Sequence, residues 1–156
     1  MSVAFRRESD EEHKEPRFEL PLPPGPNVVT QRGHDLIQAR TEELEALVGS
    51  EPNDEKRVEL QRDLRYWRAR LATAQIAPLP SGTSVAIGTK VTIEQAGRTR
   101  TLTIVGHDEA DPASGLLAFA SPLGHALLGA EPGDDVDPPG NAGPLTILSV
   151  EIASFG

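Results

Sequence analysis

The chain has 156 residues, room for one ordinary domain or two small ones. Only 37% of the residues are hydrophobic and 4% aromatic, so the core is small, while 14 glycines and 14 prolines require many turns and an extended segment. A net charge of −9 excludes tight non-specific nucleic-acid binding by the molecule as a whole and favours a basic protein surface as partner; the lack of cysteine excludes disulfides and thiolate metal sites, and four scattered histidines form no ligand pattern.

Residues 1–28 read as a polar tail. Residues 8–15 are mostly charged, and Pro21-Leu22-Pro23-Pro24-Gly25-Pro26-Asn27 blocks a helix or central strand, so extension or disorder is expected. This segment lacks the apolar core of a signal peptide. Nowhere does the chain offer the run of about 18 apolar residues that spans a membrane, so a cytoplasmic protein is the expectation; a monomer is expected as well.

Residues 29–77 read as a two-helix hairpin. Thr30 is a candidate N-cap, and Ile37, Leu44, Leu47 and Val48 line one side of a first helix that ends at Val48. A stop and turn follow in Gly49-Ser50-Glu51-Pro52-Asn53. In the second helix Leu60, Leu64, Trp67, Leu71 and Ala74 repeat at 4-3-4-3 spacing, the seam of a coiled coil. Neither helix buries that seam alone, so an antiparallel pairing is predicted. Residues 78–82 (Pro-Leu-Pro-Ser-Gly) form a linker.

Residues 83–156 read as β-rich. Strand composition appears at Thr83-Ser84-Val85-Ala86-Ile87 and at Lys90-Val91-Thr92-Ile93. Ala96-Gly97-Arg98 is a hairpin turn into a strand over residues 99–105, where Leu102 and Ile104 alternate with threonines. The stretch after it is the most informative. Asp108, Glu109 and Asp111 crowd a turn closed by Pro112 and Gly115, and residues 116–120 read as a buried strand. Ser121 then caps a short helix with Pro122 at its first position and Gly129 at its end. Residues 131–135 form a turn and residues 145–152 a last strand. Two helices followed by strands with one helix give an α+β chain.

Several motifs in this order resemble the Gre family of bacterial transcript-cleavage factors. Ala74-Gln75-Ile76 is similar to the family's Ala-Gln-Val, residues 87–93 (Ile-Gly-Thr-Lys-Val-Thr-Ile) to its Phe-Gly-Xaa-Xaa-Val-Thr-Val, and residues 104–111 (Ile-Val-Gly-His-Asp-Glu-Ala-Asp) to its Ile-Val-Gly-Xaa-Xaa-Glu-Ala-Asp. Residues 121–129 resemble its Ser-Pro helix, Gly133-Asp134 its Gly-Asp turn, and Thr30 with Gly33 its opening Thr-Xaa-Xaa-Gly. The resemblance implies a coiled-coil hairpin followed by an FKBP-like domain that docks on RNA polymerase at the secondary channel. It also marks departures. Arg40 stands where the family usually has Glu, the tip motif is absent, and each arm is about ten residues short, removing ~15 Å of reach. Short-hairpin relatives such as the regulator of nucleoside diphosphate kinase share this trait.

On that resemblance Asp108, Glu109, Asp111, Ser121, Pro122 and Leu123 form the candidate polymerase-binding set: an acidic loop beside a small apolar helix. The plainer reading of the acids is turn chemistry. Glu51, Asp54 and Glu55 make an acidic hairpin tip. In cleavage factors such carboxylates hold a second Mg²⁺, whereas here helix capping is the simpler role. Lys56, Arg57, Arg62, Arg65, Arg68 and Arg70 give the second helix a basic character, available to RNA in a channel or to Glu42, Glu43 and Glu45 of the first helix. Trp67 fits the seam better than a ligand-stacking role. No catalytic residue, metal site or cofactor is read. The expected function is a non-enzymatic regulator of transcription elongation. The alternatives are a cleavage factor rescuing backtracked polymerase and a peptidyl-prolyl isomerase-like module.

Overall fold

The computed structural model describes residues 19–155 and divides them into two compact units. The first comprises residues 19–25 and Ile37–Thr73; the second comprises Pro26–Leu36 and the chain from Ala74 onward. This division differs from the expected 29–77 hairpin segment, because residues 26–36 are hydrogen-bonded into the β-rich unit. Of the tail expected over residues 1–28, residues 1–18 lie outside the described residues, residues 19–27 carry no helix or strand, and Val28 belongs to a short strand.

Two 20-residue helices, α1 (Gln31–Ser50) and α2 (Asp54–Thr73), are joined by three residues. α1 outruns its predicted end by two residues, with Gly49 and Ser50 in its last turn. Ile37, Thr41 and Leu44 are buried and Val48 half-buried, so the inward face repeats at 4-3-4 and Thr41 occupies a seam position. Leu47, expected in that seam, is exposed, since one residue before Val48 the helix has turned about 100°. The Thr41 hydroxyl avoids an orphaned donor by bonding to Ile37 O at 2.8 Å. On α2, Leu64 is buried and Leu60, Trp67 and Leu71 half-buried, as the spacing predicts. Tyr66 meets Trp67 edge-on with ring centroids 5.2 Å apart, and Arg68 reaches Glu45 at 3.1 Å.

The second helix ends one residue short of Ala74, the last position expected in its seam. α2 stops at Thr73, and Gln75–Ile76 forms β2, paired in parallel with β1 (Val28–Val29). The main sheet has the order β5-β4-β3-β7-β6, built from β3 (Thr89–Gln95), β4 (Arg98–Val105), β5 (Leu116–Ala118), β6 (Asp135–Val136) and β7 (Leu145–Ile152). The pairs are antiparallel except β4–β5. Alternation sends Val91, Ile93, Leu102, Ile104, Leu145 and Ile147 inward, where Leu127 of the short helix α3 (Pro122–Leu127) completes the core with Val85. A bulge opposite Thr92/Ile93 adds one residue to β7 and leaves Leu148 exposed. It also brings Val150, rather than residue 149, opposite Val91 on the inner face. At the β3–β4 turn Ala96 and Gly97 both have positive φ, the geometry of a tight hairpin that follows strand twist.

Residues 83–87 are not a strand. Val85 is buried, but it exchanges backbone bonds with Gly129 and Ala130 after α3, and the Thr89 side chain ties back to Ala86. The predicted strand at 116–120 shortens to three half-buried residues because it forms the sheet's edge. β6 was not anticipated. Among the described residues no helix is long and apolar enough to cross a membrane.

Candidate docking surface of the second unit

β4 delivers the chain into two single-turn 3₁₀ segments, His107–Glu109 and Pro112–Ser114, which with α3 flank β5. Asp111 is exposed. Its carboxylate accepts a 2.8 Å bond from Ser114 Oγ, and its backbone bridges Leu116. Asp108 is half-buried. In α3, Ser121 Oγ accepts from Gly124 N at 3.1 Å and donates to Ala118 O at 2.7 Å, so the cap also anchors the helix to β5. Pro122 is exposed at the first helical position, while Leu123 is half-buried and packs on the core. The surface that remains open to a partner is therefore Asp111 and Pro122, edged by Asp108, Ser121 and Leu123.

Glu109 departs from the expected set. It is 5% exposed and turned inward. One carboxylate oxygen accepts from Thr30 N and Gly106 N, both at 3.1 Å; the other accepts from the Thr30 hydroxyl at 2.6 Å. Arg32 Nη1 stands 3.5 Å from that second oxygen, at ion-pair distance without hydrogen-bond geometry. Thr30 Oγ1 in turn accepts from Gly33 N at 3.0 Å and caps α1. A Cβ on Gly33 would lie 2.2 Å from the Glu109 carboxylate, so this position admits no side chain while the clamp is closed. A buried carboxylate is tolerable because each oxygen has donors. Thr30, Gly33 and Glu109, which two separate motifs supply, thus form one structural clamp 79 residues apart in sequence. Its members Arg32 and Gly106 were missed by sequence reasoning.

The tip residues are dispersed in role. Asn53, rather than an acid, caps α2 by accepting from Lys56 N at 2.9 Å. Glu51 accepts from Asn53 N at 3.1 Å, Asp54 pairs with Arg57, and Glu55 is exposed. The basic side of α2 is largely neutralised: Arg62 lies 3.4 Å from Asp63, Arg65 grips Glu19 with two bonds of 2.7 and 2.8 Å, and Arg68 holds Glu45. The Arg65 bonds hold the Glu19 carboxyl below its ordinary range and raise Arg65. Arg70 is buried.

The family described as "Transcription elongation factor, GreA/GreB, C-term" matches residues 80–152. Transcription elongation factor GreA of Nitratidesulfovibrio vulgaris (strain Miyazaki F) is 35% identical over 122 residues, which cover 74% of this chain and 76% of that protein. The chain belongs to the GreA/GreB family of transcription elongation factors. GreA of Desulfovibrio desulfuricans is 38% identical over 106 residues, and the chain spans 65% of that relative's length. Among solved structures, a GreA/GreB factor from Nitrosomonas europaea aligns with a TM-score of 0.42 and 21% identity over 80% of this chain and 98% of that one. Gfh1 of Thermus thermophilus aligns with a TM-score of 0.41 and 19% identity, covering 81% and 99%. Within this GreA/GreB domain the match includes the acidic turn, the α3 cap and the Glu109 end of the clamp.

Proposed function

We propose that this chain binds RNA polymerase through the Asp111–Pro122 surface and modulates elongation without itself stimulating transcript cleavage. The observation carrying the reading is that the exposed acid and proline sit on a rigid base. The Glu109 clamp ties the acidic turn to Thr30 and Gly106, and the Ser121 cap ties α3 to Ala118 of β5. An acidic, partly apolar patch of that kind complements a basic surface. Family membership supports the polymerase as the partner. The five-stranded sheet with one short helix supports an FKBP-like description of the unit, but the cavity there has a single lining aromatic, Phe155, too few for an isomerase pocket.

The tip chemistry supports the non-cleaving half. Asp54 is neutralised by Arg57 and Glu51 is engaged by the loop backbone. Cleavage assistance needs a carboxylate placed at the metal to within about an ångström. The cleavage-factor alternative draws on the exposure of Asp54 and Glu55 in the first turn of α2. RNA 3′-end shortening in a backtracked complex separates the two. The proposal expects none above the polymerase alone. Robust shortening that vanishes in Asp54→Ala/Glu55→Ala would establish the alternative.

A further inference from the structure

Between residues 83 and 155 the sequence has nine carboxylates and three lysines or arginines, and all three cations, Lys90, Arg98 and Arg100, lie on the β3–β4 hairpin. Among the described residues none of the three has a carboxylate partner. Arg98 and Arg100 are exposed and two residues apart on β4, so both point to the same face, with Arg98 opposite Gln95 and Arg100 opposite Ile93. That face is concave: Gln95, Ala96, Arg98, Arg100 and Ala142 line a shallow depression of about 310 Å³. Gln95 Nε2 bonds Gly143 O at 2.8 Å and holds the far wall in place.

Among the described residues these two guanidinium groups have no carboxylate to offset their mutual repulsion, a cost that an external anion reduces. Their position sharpens the point. Arg98 opens β4 and the acidic turn follows its end at Val105, so the seven steps of about 3.3 Å between them put roughly 23 Å between a basic pole and an acidic pole. One strand thus presents opposite charges at its two ends. A basic partner at Asp111 leaves the arginine pole free for a different, negatively charged one.

We propose that Arg98 and Arg100 form a second contact site for the phosphate backbone of a single-stranded nucleic acid. Arginines at i and i+2 on a strand stand about 6.6 Å apart, comparable to successive phosphates of a stretched strand. A guanidinium takes a phosphate bidentately, which gives geometry as well as charge. Binding is weak and strongly salt-dependent, because the chain's net charge of −9 opposes it everywhere else.

The test uses the full chain and a labelled twelve-nucleotide oligouridylate, followed by fluorescence anisotropy in low salt. The expected logarithmic salt slope is about −1.4, two phosphates at about −0.7 each for a single strand. Arg98→Glu/Arg100→Glu should weaken binding at least tenfold, Arg98→Lys/Arg100→Lys should retain most of it, and Gln61→Glu on the exposed side of α2 should leave it unchanged. Amide shifts in titrations should centre on residues 95–100. Undiminished binding by the double Glu variant overturns the proposal. So does no binding at the lowest salt, or preferential binding of an oligoglutamate peptide, which would make the site one for acidic protein. No polymerase is present, so none of these outcomes bears on docking at Asp111.

Discussion

Gly33→Ala separates the clamp from ordinary helix energetics, because the two give opposite signs. By propensity alone, alanine in the first turns of α1 should stabilise by about 0.5–1 kcal/mol. Its Cβ, however, would fall 2.2 Å from Glu109 Oε2 and 2.3 Å from Cδ, so the carboxylate must leave. Thr30 N, Gly106 N and the Thr30 hydroxyl then lose their acceptor in a buried site. Each stranded group costs about 1–3 kcal/mol, and partial relaxation brings the net expectation to about 2–4 kcal/mol of destabilisation after the propensity gain. With a urea dependence of about 1–3 kcal/mol per molar, the unfolding midpoint of the second unit should drop by roughly 1–2 M. Amide exchange at Thr30 and Gly106 follows that unit, while fluorescence of the single tryptophan, Trp67, follows the hairpin. In a Glu109→Ala background the penalty for Gly33→Ala should vanish, since nothing remains to displace. An unchanged or raised midpoint in the single variant would refute the clamp argument.

Trp67→Ala should cost about 1–3 kcal/mol, below the ~3–5 kcal/mol of a fully buried site, because the ring is half-buried against Tyr66; thermal unfolding read by circular dichroism checks this, and an unchanged midpoint would exclude Trp67 from the seam. Glu19 titrates below the ordinary carboxylate range because Arg65 bonds the charged form. The clasp therefore contributes above the unfolded-state value and is lost as pH falls through the lower folded one. Carbon-detected NMR should show the Glu19 midpoint rise toward the ordinary value in Arg65→Ala, and an unmoved midpoint would count against the clasp.

Periodic features were legible in the sequence. The α2 seam, the Ser121-Pro122 cap, the Ala96-Gly97 turn and β7 all follow from local spacing or capping chemistry. Contacts remote in sequence were not. β1 and β2 are two residues each and exist only through each other, so neither has a pattern to read. Residues 83–87 have strand composition, but their backbone partners lie after α3 and no strand runs beside them. Glu109 shares its turn with two other acids, and nothing local marks it as the one turned inward. Only the distant Thr30 and Gly33 give it that role. The same clamp means that a fragment beginning at residue 82 lacks half of its own support, so docking is best measured on the whole chain.

The most direct test of polymerase docking through the Asp111–Pro122 surface is the affinity of the full-length protein for core RNA polymerase, wild type against Asp111→Arg. Asp111 is exposed and, among the described residues, its side chain bonds only Ser114, so the variant should fold normally. Charge reversal at the edge of a complementary interface should weaken binding by ~10-fold or more, equivalent to about 1.4 kcal/mol, with a smaller loss at high salt. Wild-type affinity in a correctly folded Asp111→Arg protein would contradict the account.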